Sequence, residues 1–184
     1  MKETIILDKK FRESIPEESI TRRINEMADK MNTDLAGKDV LFLGILNGAF
    51  MFASEIFKRI NLNARISFVK IASYRGTKSS GTLNQLIGLN EDLKGKDVVI
   101  LEDIIDSGHT LQFLKDRLAL SNPHSIKICA LLDKKARREV EIEADYVGKE
   151  VENVFIVGYG IDFNETYRDL PEIYYVTPNE HQKS

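Results

Sequence analysis

One cysteine, a net charge near zero and no long apolar run set the outer limits of what this chain can be. Cys129 stands alone among 184 residues, so no intramolecular disulfide can form, which fits a reducing cytoplasm. It lies in a mostly apolar run, residues 126–132, broken only by Lys127, and reads as a core residue. The formal charge is −3, from 26 basic against 29 acidic residues, so no global footprint for nucleic acid is present. No stretch approaches the ~20 apolar residues of a membrane helix, and Met1, Lys2, Glu3, Thr4 and Ile5 carry no apolar signal core. Internal repeats, low-complexity linkers, and any Ser-His-Asp or Cys-His set are also missing. These absences leave an ordinary globular chain whose length suits one domain spanning residues 1–184.

What is present alternates strand and helix. Residues 16–32 predict a helix: Pro16 suits its first turn, Glu17 and Glu18 suit the dipole, and Ile20, Ile24, Met27 and Met31 form one stripe. Residues 40–46 predict a buried strand, and 49–60 a helix with Phe50, Ala53, Phe57 and Ile60 on one face. Residues 65–74 predict a strand, 75–82 a mobile loop rich in Gly, Ser, Thr and Lys, and 83–88 a returning hairpin partner. Strand, helix and strand follow at 97–103, 111–120 and 125–132, then short strands at 146–147, 154–157 and 173–176. This alternation predicts an α/β fold with a central, mostly parallel sheet flanked by helices. Residues up to about 38 are not diagnostic.

The most informative segment is 98–111. Val98, Val99, Ile100 and Leu101 suit a fully buried strand, and Glu102 and Asp103 fall where it should end. Asp106, Ser107, Gly108, His109 and Thr110 follow, and then the helix. Ligands of open α/β sheets bind just outside the carboxyl ends of strands. A helix N-terminus there is a ready phosphate site, Gly108 lets the backbone approach an anion, and Ser107 and Thr110 add hydroxyl donors. Glu102 and Asp103 would repel phosphate, so they serve another part of the ligand; a vicinal diol and magnesium are natural partners of paired carboxylates. A phosphorylated ribose fits every element. The plainer reading, a capped helix with a solvated acidic edge, does not need two further acids upstream. An aspartic protease would also use Asp106-Ser107-Gly108, but it requires an all-β chain.

The string Glu102-Asp103-Ile104-Ile105-Asp106-Ser107-Gly108 closely resembles the phosphoribosyl-diphosphate motif of purine phosphoribosyltransferases, and most of all their hypoxanthine-guanine branch. The resemblance extends from about residue 40 to 176. It implies the type I phosphoribosyltransferase fold, with a flexible lid at about 73–84 and a small hood built mainly from 134–176 with the N-terminal segment. It places ribose and 5-phosphate on Glu102, Asp103, Ile104, Ile105, Asp106, Ser107, Gly108, His109 and Thr110, with Asp106 as catalytic base. Leu46, Asn47 and Gly48 resemble the pyrophosphate turn, in which the peptide after the leucine, here Leu46–Asn47, is often cis. Where the family commonly has Lys or Arg, this chain has Asn47, which removes a side-chain charge but not a backbone role. Ser73 and Tyr74 match the lid, whose closure would keep water from an oxocarbenium-like transition state.

The C-terminal third resembles the base pocket. Purine-binding positions are Lys134, Val154, Phe155, Ile156, Ile161 and Asp162. Lys134 or Lys135 would face the exocyclic oxygen of a 6-oxopurine, and register with the family favours Lys134. Phe155 would stack on the purine, the Ile156 backbone would read its edge, and Ile161 would line the pocket. Arg168 would bind pyrophosphate. Magnesium falls to Glu102, Asp103 and Asp162. The implied partners are phosphoribosyl diphosphate, a 6-oxopurine, IMP or GMP, and pyrophosphate, with no nucleic acid and no membrane, in a homodimer or homotetramer. Xanthine as preferred base is one alternative. A nucleotide-sensing, RNA-binding regulator is another, and would need a basic face; the one dense basic cluster is Lys134, Lys135, Arg137 and Arg138. A catalytically dead member of the fold would not need the acids at 102, 103, 106 and 162.

Overall fold

In a computed structural model of the chain, described for residues 3–6, 9–75 and 82–176, the alternating pattern builds two sheets. Strands β1 (Glu3–Ile6) and β2 (Lys9–Ile15) precede helix α1 (Glu17–Asp34). Then come β3 (Val40–Leu46), α2 (Phe50–Phe57), β4 (Ala64–Arg75), β5 (Thr82–Ile87) and β6 (Asp97–Ile105). The chain continues through α3 (His109–Ala119), β7 (Ser125–Asp133), β8 (Tyr146–Glu150), β9 (Ile156–Val157) and β10 (Ile173–Val176). The larger sheet runs β5-β4-β3-β6-β7-β8, parallel throughout except for the β4–β5 hairpin. Val40 pairs with both Ala64 and Asp97, and Asp97 with Ser125, so the strands start level and their carboxyl ends share one edge.

Alternation along each central strand divides its side chains between two cores. Phe42, Val99, Leu101, Cys129 and Leu131 pack with Ile20, Ile24, Met27 and Met31 of α1 and Phe52, Ala53 and Ile56 of α2. Leu41, Leu43, Val98, Ile100 and Ile128 pack with Leu111, Leu114 and Leu118 of α3. A strand buried on both faces must be apolar at every position, which is why β3 and the first half of β6 read as unbroken hydrophobic runs. Each fully buried leucine of α3 contributes about 1.5–3 kcal/mol.

Several elements differ from the sequence expectation. Pro16 lies just outside α1, its carbonyl accepting the Ser19 and Ile20 N–H groups at 2.9 and 3.1 Å, and the helix runs two residues past the expected end. Helix α2 buries Phe52, Ala53 and Ile56, while Phe50 is exposed. Strand β6 continues to Ile105, because β7 accompanies it through the pairs Ile104 with Leu132 and Ile105 with Asp133. Strands β1 and β2 join β10 and β9 in a four-stranded antiparallel sheet, β1-β2-β10-β9, which brings the two ends of the chain together as the hood. Within the stretch expected to form that hood, 146–150 is instead strand β8, on the edge of the larger sheet. Ser73 and Tyr74 lie in β4, paired with Asn84 and Leu83; residues 76–81 of the expected lid are outside the described residues.

At the opposite edge of the larger sheet, a buried carboxylate fastens two strand starts. Asp97 accepts the Ser125 hydroxyl at 2.5 Å and meets His124 Nδ1 at 3.0 Å. Serine and histidine bind the same oxygen, so the trio is a structural tie and not a nucleophile with its base. Burial alone would push the Asp97 carboxyl up, but bonds from Ser125 and His124 outweigh it and hold the group below its ordinary value. A depressed folded pKa contributes stability above the unfolded value near 3.9 and loses it as pH falls through the folded value. Asp97→Ala is expected to cost about 1–3 kcal/mol at pH 7, with the deficit shrinking below pH ~4. Urea midpoints of both proteins across pH 3–7 check this, and a deficit that persists unchanged in acid would contradict it.

Candidate active site

Where β3, β6 and β7 end, the two cores give way to polar side chains. Glu102 and Asp103 stand side by side near the end of β6. Asp103 is buried and accepts its neighbour Ile104 N–H at 2.8 Å, while one Glu102 carboxyl oxygen is buried with no hydrogen-bond partner. Burial, and then the adjacent Asp103 charge, push the Glu102 carboxyl well above its ordinary value. Asp103 is also raised by burial, with the Glu102 proton, the Ile104 N–H and the Arg168 charge working against that rise. Burial thus disfavours full negative charge on both members of the pair at once. An orphaned buried carboxyl oxygen beside a second carboxylate is a donor set that suits a hard divalent cation.

The turn after β3 packs directly on this pair. A Cβ added to Gly48 would stand 2.0 Å from Asp103 Oδ2, and one added to Gly160 would stand 2.1 Å from the Gly48 carbonyl oxygen. Gly48 is thus gripped between the Asp103 carboxylate and the Gly160 main chain. The Leu46–Asn47 peptide is cis, as the resemblance implied, and the Asn47 side chain is exposed. The Ala49 and Phe50 N–H groups close the turn on the Ile45 and Asn47 carbonyls at 3.1 and 3.3 Å.

Beyond β6, Asp106, Ser107 and Gly108 bend the chain into α3. Gly108 is the N-cap at φ +89°, a left-handed conformation that other residues adopt at a cost of about 1–2 kcal/mol. Glu102, Ile104, Ile105, Asp106, Ser107, Gly108, Thr110 and Leu111 line a cavity of about 100 Å³ at the α3 N-terminus. His109 turns to Glu139, with Nε2 to Oε2 at 2.9 Å. Asp106 is half-exposed, and Arg137 Nε lies 3.3 Å from its Oδ1. Lys134, half-buried, lies close enough to Asp106 to feel its charge; burial lowers the ammonium below its ordinary value, Asp106 opposes that and Arg137 adds to it. Lys135 is exposed and ion-paired with Glu150.

The hood loop approaches from the other side. Arg168 donates to the Gly160 carbonyl at 2.7 Å and reaches Asp162 Oδ1 at 3.1 Å, while Asp162 Oδ2 accepts the Glu165 N–H at 2.8 Å. Arg168 is therefore the cation between the hood loop and Asp103. Phe155 is 46% exposed, and its ring meets Phe163 edge-on at 5.3 Å. Ile156 pairs with Tyr175 in the hood sheet, Ile161 is buried and Val154 is half-buried. Among the described residues no three His, Cys, Asp or Glu side chains form a group that could hold one ion. Gly160 and Arg137 were not foreseen in these roles; the repeated glycines of Gly158-Tyr159-Gly160 and the adjacent arginines were the signals available.

The chain is similar to known proteins over most of its length. The phosphoribosyl transferase domain model matches residues 14–164. The hypoxanthine-guanine phosphoribosyltransferase of Aquifex aeolicus is 39% identical over 173 residues, 93% of this chain and 97% of that protein. The bifunctional protein TilS/HprT of Listeria monocytogenes is 42% identical over 165 residues, 89% of this chain, which spans about a quarter (26%) of that longer protein. A crystal structure of a hypoxanthine phosphoribosyltransferase from Staphylococcus aureus superposes with a TM-score of 0.85 at 39% identity, covering 91% of each chain.

Proposed function

The chain belongs to the phosphoribosyl transferase family, with its type I fold, and on that premise we propose that it transfers 5-phosphoribosyl from phosphoribosyl diphosphate to N9 of hypoxanthine and guanine. The products are IMP or GMP and pyrophosphate. The observation that carries this reading is the convergence of Glu102, Asp103, Asp106 and the α3 N-terminus with Lys134 and the Gly48 turn at one sheet edge. Relatives named for hypoxanthine and guanine over nearly their whole length support the choice of base.

The roles follow from the chemistry of each group. The α3 N-terminus with Ser107 and Thr110 takes the 5-phosphate, and the hydroxyls of ribose fall to Glu102 and Asp103. Lys134 donates to the 6-oxygen, which discriminates against a 6-amino group. Phe155 and Ile161 hold the purine plane, and the Ile156 backbone meets its edge. Asp106 accepts the N7 proton, or a bond that strengthens as N9 attacks C1. That requires its exposed pairing with Arg137 to exchange, and such pairs are worth at most about 1 kcal/mol. Arg168 and the 46–48 backbone receive the departing pyrophosphate. We assign Mg2+ to Glu102 and Asp103, with Asp162 at a separate position; when bound, it neutralises charge on the leaving group. The β4–β5 hairpin, with Ser73 and Tyr74, is assigned the cover that excludes water. We also place the protein in the cytoplasm as a homodimer or homotetramer.

A nucleic-acid regulator is disfavoured because three of the four cations of the basic cluster already have acidic partners, one pair of them buried. Lys135 pairs with Glu150, Arg137 with Asp106 and Arg138 with Asp133. Nucleotide formation should be assayed with phosphoribosyl diphosphate, magnesium, and hypoxanthine, guanine, xanthine or adenine. Hypoxanthine and guanine are expected to turn over, adenine to be inert, and a chelator to abolish the reaction. No turnover with any base, despite saturable phosphoribosyl-diphosphate binding, would sink the proposal.

A further inference from the structure

Three successive carbonyls of the chain entering the phosphate loop meet donors from residues 134–139. Lys134 N–H donates to Ile105 O at 2.9 Å, the Arg138 guanidinium lies 3.4 Å from Asp106 O, and Glu139 N–H donates to Ser107 O at 3.0 Å. Peptide C=O and N–H groups point oppositely, so capture of these carbonyls turns the N–H groups of the same peptides to the other side, where they are available to an anion. The support is also steric: a Cβ at Gly108 would stand 2.7 Å from Ile142, 2.9 Å from Val140 and 3.2 Å from Arg138 Cδ.

Arg138 ties this support to a buried carboxylate. Its other guanidinium nitrogen is bonded to Asp133, the last residue of β7, which pairs in register with Ile105, the last residue of β6. The two side chains are 15% and 3% exposed. A pair so buried is a poor choice for stability alone, because desolvation cancels most of its attraction and apolar residues of the same volume do as well. What it supplies is fixed geometry: a planar fork spanning two acceptors. The residue next to Asp133 is Lys134.

We propose that Arg138, held on Asp133, is a positioning residue that sets the 106–108 loop relative to Lys134 and thereby couples the seat of the ribose 5-phosphate to the seat of the base. The inference rests on the phosphoribosyl-transfer reading above. Arg138 touches no reacting atom; it acts through the Asp106 carbonyl and through the strand end that carries Lys134.

Arg138→Lys keeps a cation for Asp133 but lacks the fork that reaches Asp106 O. Its KM for phosphoribosyl diphosphate is expected to rise about tenfold, with kcat changed less than about threefold and the melting midpoint close to that of the parent. Ribose 5-phosphate titrated calorimetrically against both proteins should weaken in parallel, without any need for turnover. Asp133→Asn, which keeps shape and an acceptor, should move the same constants in the same direction by a smaller factor, and stands in if the lysine variant does not fold. A lowered midpoint with kinetic and binding constants within about twofold of the parent would reduce the pair to a structural one and overturn the inference. A parent protein that binds ribose 5-phosphate but turns over no base would overturn the transfer reading instead, and the calorimetric comparison would still decide whether Arg138 sets the loop.

Discussion

Asp106→Asn is expected to lower kcat by about 10²–10⁴-fold while leaving the dissociation constant of phosphoribosyl diphosphate within about threefold. The amide has the size of the carboxylate and keeps one acceptor oxygen, but it cannot take a proton from N7 as N9 attacks. Ligand affinity should survive because phosphate is assigned to the α3 N-terminus, Ser107 and Thr110, and the loop backbone is held from below by Lys134 N–H, Arg138 and Glu139 N–H. Two neighbours will respond to the lost charge. Arg137 loses its Asp106 partner, and Lys134, whose ammonium Asp106 helps to keep protonated, should titrate lower still. The variant therefore predicts an altered alkaline limb for purine binding alongside the lower kcat, and a pH profile of kcat/KM separates the two effects. If turnover and binding fall together by the same factor, Asp106 is a binding group and the general-base role is lost.

The parallel core was legible because burial on two faces leaves a simple trace. Strand β3 is apolar along its whole length, and β7 from Ile128 to Leu132 is buried at every position, so both could be bounded from sequence to within a residue. Helix α2 shows where that logic stops. Its sequence, Phe-Met-Phe-Ala-Ser-Glu-Ile-Phe, is apolar nearly all round, so periodicity finds a helix but cannot choose which stripe faces the sheet, and Phe50 was placed on the wrong side. Strand β2, Lys-Lys-Phe-Arg-Glu-Ser-Ile, is mostly polar and finds its partner, β10, some 160 residues away in the chain, a pairing no local pattern announces. Within the site, the 102–110 string is contiguous and was readable as a unit. The contacts of Gly48 with Asp103 and of Gly160 with Gly48 join residues from different crossovers and appear only once the sheet has set their spacing, whereas Arg138 and Asp133 are only five residues apart.

Gly48→Ala should be the most damaging single-carbon change in the molecule for activity. The new methyl would stand 2.0 Å from Asp103 Oδ2, 2.6 Å from its Cγ and 3.0 Å from Oδ1. A long surface side chain could swing aside, but Asp103 is short, 7% exposed and held by the Ile104 N–H, so either the carboxylate leaves its place or the turn proposed to bind pyrophosphate lifts away from it. Gly160 blocks the second route, because its main chain already abuts the Gly48 carbonyl. Overpacking of this kind costs about 1–3 kcal/mol of stability. The loss of activity should be larger, about 100-fold or more in kcat/KM, since a shift near 1 Å in a positioning contact is enough for that. Gly37→Ala is the matched control: φ is +75° and nothing lies within 4 Å of the added carbon, so it should cost about 1–2 kcal/mol of backbone strain and no activity. A second control isolates the cause. Asp103→Ala removes the obstructing carboxylate, so the stability deficit of Gly48→Ala should largely vanish in the Asp103→Ala background, although activity will not return. If the deficit is the same in both backgrounds, the damage comes from the turn itself and the steric account of Gly48 is wrong. If it disappears, the glycine is there because a buried acid of β6 and the turn after β3 occupy adjoining space, leaving room for a hydrogen and nothing larger.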